Sequence, residues 1–134
     1  MKYTELSYSY GESEKEKLEN VDSEYNQTAI KSNYFIEETF PKLRSKKLKQ
    51  PWRNHLLGIK LLQLNQLDNF YSVHLYPSGN TYQKKVVDEY FNCIKPEYHQ
   101  TFIPITYEKF IQTADEIFEQ TNLKDWIGYL KERY

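Results

Sequence analysis

The sequence contains few of the residues that define several classes of protein. Its single cysteine, Cys93, excludes an internal disulfide framework and a cysteine-rich zinc module, and is expected to be a small buried hydrophobe in a reducing compartment. Four glycines and five prolines are too few for a collagen-like or linker-like chain. No apolar run approaches the roughly 18 residues of a membrane-spanning helix, and residues 1–17 lack the apolar stretch of a secretory signal. We therefore expect a soluble, cytoplasmic protein with no membrane partner.

Common catalytic motifs are also missing from the chain. There is no glycine-rich phosphate loop, no dinucleotide-binding fingerprint, no zinc-protease helix motif and no nucleophile elbow. Nucleotide hydrolysis, dinucleotide redox chemistry and zinc proteolysis are therefore disfavoured. The three histidines, His55, His74 and His99, are far apart in sequence without metal-ligand spacing, so we expect them to be structural.

Aromatic residues, in contrast, are abundant. Thirteen tyrosines, seven phenylalanines and two tryptophans make up 16% of the chain, and such side chains supply large buried areas that disordered chains lack. The length of 134 residues suits one domain, which we expect to span residues 1–134.

Hydrophobic periodicity predicts a layered α/β domain with flanking helices and a mixed or parallel sheet of three or four strands. Residues 11–19 are strongly charged and are expected to form a solvated loop. Strands are expected at 2–10, 70–76 and 101–107, with 70–76 central in the sheet. Helices are expected from Asp22 onward and at 52–67, 81–94, 108–119 and 123–133.

The net charge of −1 conceals a basic segment between two acidic ones. Residues 39–67 carry seven bases and no acid, whereas residues 1–38 carry a net charge of −5 and residues 68–134 one of −3. The basic run is either a solvated surface or a phosphate-binding surface. The second interpretation assigns nucleic-acid binding to Lys46, Lys47, Lys49 and Arg53, with Trp52 available for stacking.

The order of five short segments resembles the C-terminal part of restriction-endonuclease-like proteins of the PD-(D/E)XK nuclease superfamily. The segments are KYTEL (2–6), QPWRNHLLGIKLLQ (50–63), FYSVHLYPSGN (70–80), ITYEKFI (105–111) and WIGYLKERY (126–134). The resemblance covers residues 2–134. It implies that Lys2 is the lysine of the (D/E)XK signature, that Glu5 is a nearby acid, and that Gln50 and Arg53 are a polar pair near the substrate. Asn54, Gly79 and Asn80 match the pattern as turn or support residues.

The resemblance also implies what is missing. Such nucleases bind Mg²⁺ through an upstream aspartate and the signature acid, but Met1 precedes Lys2 directly, so the domain would be incomplete at its N-terminal side. The chain would then lack its own metal carboxylates, hold no cofactor alone, and be inactive unless an upstream polypeptide completes the site and brings Mg²⁺. The alternative is a non-catalytic module that binds nucleic acid or a nuclease partner. An unpaired strand at 2–10 would favour a homodimer, and DNA is the implied ligand.

Overall fold

The structure is a computed structural model that describes residues 11–118 and 123–133. The first half of the described chain is helical. It contains α1 (Glu12–Glu19), α2 (Glu24–Ser32), a short 3-10 turn (Glu37–Thr39), α3 (Phe40–Leu43) and the long α4 (Lys49–Gln63). The predicted helices after Asp22 and at 52–67 are thus confirmed, with α4 beginning three residues earlier than expected.

The second half of the described chain contains a β-α-β unit. Strand β1 (Ser72–Tyr76) is followed by α5 (Thr81–Phe91), a 3-10 helix (Pro96–Thr101) and β2 (Phe102–Thr106). The two strands pair in parallel, from Ser72 opposite Phe102 to Tyr76 opposite Thr106, which confirms the prediction of parallel strands. Asn80 plays the predicted support role, since its side chain accepts a hydrogen bond from the Gln83 amide at 3.0 Å and caps α5.

Two helices complete the described chain. Helix α6 (Tyr107–Ile117) follows β2 directly, and α7 (Lys124–Arg133) packs against it. Both helices were predicted, and their contact buries Ile111, Ala114 and Ile127 as a small cluster separate from the main core.

Two expectations about the fold need correction. Residues 12–19 form a helix rather than a loop, because Leu18 is buried in the core and anchors an otherwise charged segment. The described residues contain a sheet of two strands, not three or four, and β1 has β2 as its single neighbour there. The strand predicted at 2–10 lies outside the described residues.

The main core gathers around α4. Trp52, Leu56 and Ile59 from this helix belong to one buried cluster with residues of α2, α5 and β2 and with Leu18 from α1. Cys93 is also buried here, as predicted. The other side of the sheet is open among the described residues, where Val73 is 54% and Ile103 is 38% exposed. His74 lies on the opposite face from Val73, as the strand alternation predicted, and is hydrogen-bonded to Gln83 at 3.3 Å.

Within the described ranges, we find no helix with the length and apolar character needed to cross a membrane.

Candidate nucleic-acid-binding surface

The basic run leads directly into the first turn of α4. Ser45 begins this transition, since its carbonyl accepts from the Lys49 amide at 3.0 Å and its hydroxyl accepts from the Leu48 amide at 3.3 Å. Pro51 lies in the first turn, where its missing N–H leaves no intrahelical hydrogen bond unmade. The helix start therefore adds a partial positive charge to a segment that is already cationic.

Helix α4 has two faces of opposite character. Its inner face is buried and consists of Trp52, His55, Leu56 and Ile59. Its outer face consists of Gln50, Arg53, Asn54, Leu57 and Lys60, which recur at three- and four-residue spacing. The outer face joins α2 to form a groove.

The groove between α2 and α4 encloses about 380 Å³. Helix α2 contributes Glu24, Tyr25 and Thr28 to its wall, and α4 contributes the outer face together with the buried Leu56 as part of the floor. Both an aromatic ring and several hydrogen-bonding side chains therefore line one open concavity. This size lies within the usual range for small-ligand sites.

Helix α1 places one acid between two of the cations. The Glu14 carboxylate contacts the Arg53 guanidinium and lies 3.4 Å from Lys49 Nζ. The Lys49 side chain is only 2% exposed, so its charge is directed into the fold rather than toward solvent. The Arg53 guanidinium also lies 5.6 Å from the centroid of the Tyr25 ring, which holds it at the α1 end of the groove.

Three other cations of the basic run lie away from the groove. Lys47 forms an ion pair with Glu89 on α5. Arg44 donates from Nε to Asn26 Oδ1 at 2.9 Å, and Lys46 is exposed. The run is thus divided between the α1, α2 and α5 sides of the molecule instead of forming one continuous surface.

The inner face of α4 contains a closed hydrogen-bond network centred on His55. Nδ1 lies 2.9 Å from the Tyr90 hydroxyl, and Nε2 lies 2.8 Å from Thr101 Oγ1. Thr101 Oγ1 donates its proton to the Tyr98 carbonyl at 2.7 Å, so it accepts from Nε2–H, and Nδ1 accepts from Tyr90. A neutral histidine that carries its proton on Nε2 satisfies both contacts.

Burial lowers the pKa of His55 to about 4, in agreement with that pattern. Burial likewise raises the pKa of Tyr90 well above its ordinary value. The network therefore holds the core together in its uncharged form, and His55 is a structural histidine, as its sequence context predicted.

The structure brings together some of the predicted site residues and separates others. Gln50 and Arg53 line the same groove, whereas their predicted place near the substrate stays a prediction. Lys46 and Lys47 lie apart from that groove, and Lys49 is buried against Glu14. Trp52, proposed for stacking, is completely buried in the core, so a base cannot reach its ring. Lys2 and Glu5 lie outside the described residues.

Three contributors to the surface were not singled out from the sequence as binding residues. Glu14 lies in the charged segment that was expected to form a solvated loop, and Tyr25 lies in the helix that was predicted after Asp22. Lys60 was counted with the basic run but lies a full two turns beyond Arg53. Helical spacing along α4 could have grouped Lys60 with Arg53, whereas the α1 contact of Glu14 is visible only in three dimensions.

The described residues do not fit a magnesium ion. Among residues 11–118 and 123–133, no group of three or more histidine, cysteine or acidic side chains is arranged to hold a metal. Glu14, the acid closest to the cationic start of α4, is already engaged by Lys49 and Arg53.

Comparison with known proteins places the chain in a family. Residues 1–134 match the PD-(D/E)XK nuclease superfamily. The chain belongs to this superfamily. The match spans the whole sequence and confirms the resemblance at the level of the superfamily. No curated protein and no solved structure matches the chain significantly.

Proposed function

We propose that this superfamily member binds DNA through the outer face of α4. The observation that carries the proposal is the placement of Gln50, Arg53 and Lys60 along one open groove, in a 29-residue stretch without any acid. Arginine and lysine side chains on such a surface neutralise phosphates and release counterions. Lys46, exposed at the approach to α4, adds a further cation, and Arg53 can bind one phosphate in a bidentate manner.

We further propose that cleavage of DNA depends on metal-binding carboxylates contributed by another polypeptide. Nucleases of this superfamily typically use Mg²⁺, which generates a hydroxide nucleophile and stabilises the charge on the phosphate when bound. In this proposal Lys2 remains the signature lysine and Glu5 a nearby acid, with any further ligand contributed by another polypeptide. Gln50 and Arg53 hold the substrate phosphate beside them.

A second candidate function is a DNA-binding module without hydrolytic activity. The engagement of Glu14 by two cations favours it, because this acid contributes to charge neutralisation rather than to a metal site. The two candidates share the binding surface and differ in their response to divalent metal.

The experiment that tests these functions measures binding and cleavage with the purified chain. We expect salt-dependent binding of a duplex, weakened more by Arg53→Ala than by Lys46→Ala. We expect no cleavage by the chain alone in Mg²⁺ or Mn²⁺. Metal-dependent nicking by the purified chain that is lost in Lys2→Ala would contradict the proposed dependence on other carboxylates. Absence of salt-sensitive DNA binding would contradict both candidate functions.

We also propose that the protein self-associates as a homodimer. The predicted surface, residues 2–10, lies outside the described chain, but the open side of the sheet supports the proposal. Val73, Leu75 and Ile103 are more than a third exposed on that face, and contiguous apolar surface favours association. Sedimentation velocity showing a monomer at high protein concentration would contradict it.

A further inference from the structure

The groove between α2 and α4 has a shape that selects among forms of DNA. A duplex is read by a convex element, a helix or a β-ribbon, that enters its major groove, which is about 12 Å wide. Here α4 is flanked by α2 along its outer face, so the binding surface is concave. A concave groove of about 380 Å³ accepts an extended strand and one base, but it does not enter a duplex groove.

The two cations mark a path along the α4 side of this concavity. Arg53 and Lys60 are seven residues apart, which corresponds to about 10 Å along a helix axis. Both line the groove, whereas Glu24 lies on the opposite, α2 side. Because the acid repels phosphate, the sugar–phosphate backbone is directed toward α4.

An apolar side chain lies between the two cations. Leu57 is 64% exposed and lies one turn from each of Arg53 and Lys60 in sequence. Across the groove, Tyr25 of α2 lines the wall, and the Arg53 guanidinium lies over its ring, 5.6 Å from the centroid. Such a combination of an exposed apolar side chain and a ring provides a platform for the flat face of a base.

Amide side chains complete the lining. Gln50 and Asn54 lie one turn apart on α4 and face the same groove. Each amide offers both a donor and an acceptor, the combination needed to hydrogen-bond the edge of an unpaired base. In a duplex these edges are partly occupied by pairing, whereas in a single strand they are free.

We infer that the groove between α2 and α4 binds one nucleotide of single-stranded DNA, with the base against Leu57 and Tyr25 and the backbone along Arg53 and Lys60. This inference rests on the proposed DNA binding and names the form of DNA that the groove takes. Arg53 is shared with the general phosphate contacts, whereas Leu57 and Asn54 belong to the base site alone.

The test uses the full chain and a single-stranded oligonucleotide that contains one 2-aminopurine, compared with a duplex of the same length. We expect the 2-aminopurine fluorescence to fall on binding, because the base stacks in the groove. We expect Leu57→Ala and Asn54→Ala each to weaken single-strand binding by about tenfold and to weaken duplex binding much less. Leu64→Ala is the matched control, since Leu64 is 52% exposed at the end of the same helix but does not line the groove.

The outcomes separate this inference from the proposed function. The groove assignment would be wrong if both Leu57→Ala and Asn54→Ala left single-strand affinity unchanged, or if they weakened duplex binding equally. The proposed DNA binding would still stand in that case if Arg53→Ala weakened it. A chain that binds neither form of DNA would overturn the proposed function and the inference together. Far-ultraviolet circular dichroism of each variant checks that the helical fold is retained.

Discussion

The two faces of α4 differ in their burial. On the inner face, both ring nitrogens of His55 have partners inside the protein, and its neighbours Trp52 and Ile59 are buried. On the outer face, Asn54 and Leu57 are exposed, and Arg53 is only partly neutralised by Glu14.

One helix therefore carries residues that stabilise the fold on its inner face and residues available for binding on its outer face. Substitutions on the inner face remove packing and internal hydrogen bonds, so they should lower the free energy of unfolding. Substitutions on the outer face leave the core intact, so they should change ligand affinity instead.

The largest expected effect comes from His55→Ala. The change removes two buried hydrogen bonds, leaves the Tyr90 hydroxyl without its acceptor and opens a cavity, at a cost of about 3 kcal/mol in the free energy of unfolding. Urea denaturation measures this quantity. The adjacent outer-face variant Asn54→Ala is the control and should change it by less than about 0.5 kcal/mol. Equal losses in the two variants would break the division between the faces.

The pH dependence of the free energy of unfolding should also depend on the hydrogen-bond network around His55. The pKa of His55 is about 4 in the folded protein, against 6.5 for an ordinary histidine, so the unfolded state binds a proton first as the pH falls. The contribution of neutral His55 to the free energy of unfolding is complete above pH 6.5 and is lost as the pH falls toward 4. We expect about 2 kcal/mol less stability at pH 5 than at pH 7.5.

Burial also lowers the pKa of His74, which adds to this loss in the same direction. Denaturation series at several pH values, with the wild type and with His55→Gln, separate the two contributions. His55→Gln should retain only the smaller dependence of the unfolding free energy on pH, which is the part due to His74. An unchanged slope in His55→Gln would show that His55 does not carry the effect.

Gly58 lies where α4 packs closely against Phe70, in the segment that precedes β1. A Cβ atom at this position would lie 2.3 Å from Cδ2 of Phe70, so the ring must move. The clash outweighs the better helix propensity of alanine, and Gly58→Ala should lose about 1 kcal/mol. Gly128→Ala in α7 is the control: nothing lies within 4 Å of its Cβ, so this change should stabilise. Stabilisation by Gly58→Ala would contradict the close packing.

The smallest effect concerns the contact between α1 and the outer face. Glu14→Gln removes the negative charge beside Arg53, so a DNA phosphate no longer competes with an internal carboxylate. We expect DNA affinity to rise by about threefold. The exposed Glu12 on the same helix supplies the control, Glu12→Gln. Equal gains in the two variants would indicate a general charge effect rather than competition at Arg53.

The sequence predicted the elements whose signal is local. The spacing of Trp52, Leu56 and Ile59 marks α4, and the aromatic and β-branched run before Pro77 marks β1, because helix and strand periodicity follow from backbone geometry. Helix α1 was missed because its charged sequence has one buried anchor, Leu18, whose burial depends on distant segments.

The candidate site was only partly predictable for the same reason. Gln50 and Arg53 share a face through helical spacing, so their proximity could be predicted. The burial of Trp52 and Lys49 could not, because it depends on how α1 and α2 pack against the start of α4. A run of basic residues in sequence does not specify which side of the fold each side chain faces.

The most direct test of DNA binding by the outer face is the salt dependence of duplex binding in the wild type and Arg53→Ala. We expect affinity to fall steeply with salt, and we expect Arg53→Ala to reduce the slope of log affinity against log salt by about one. Lys109→Ala, which removes an exposed cation on α6, should leave the slope unchanged. A slope that is the same in the wild type and Arg53→Ala, or binding that does not respond to salt, would contradict the account.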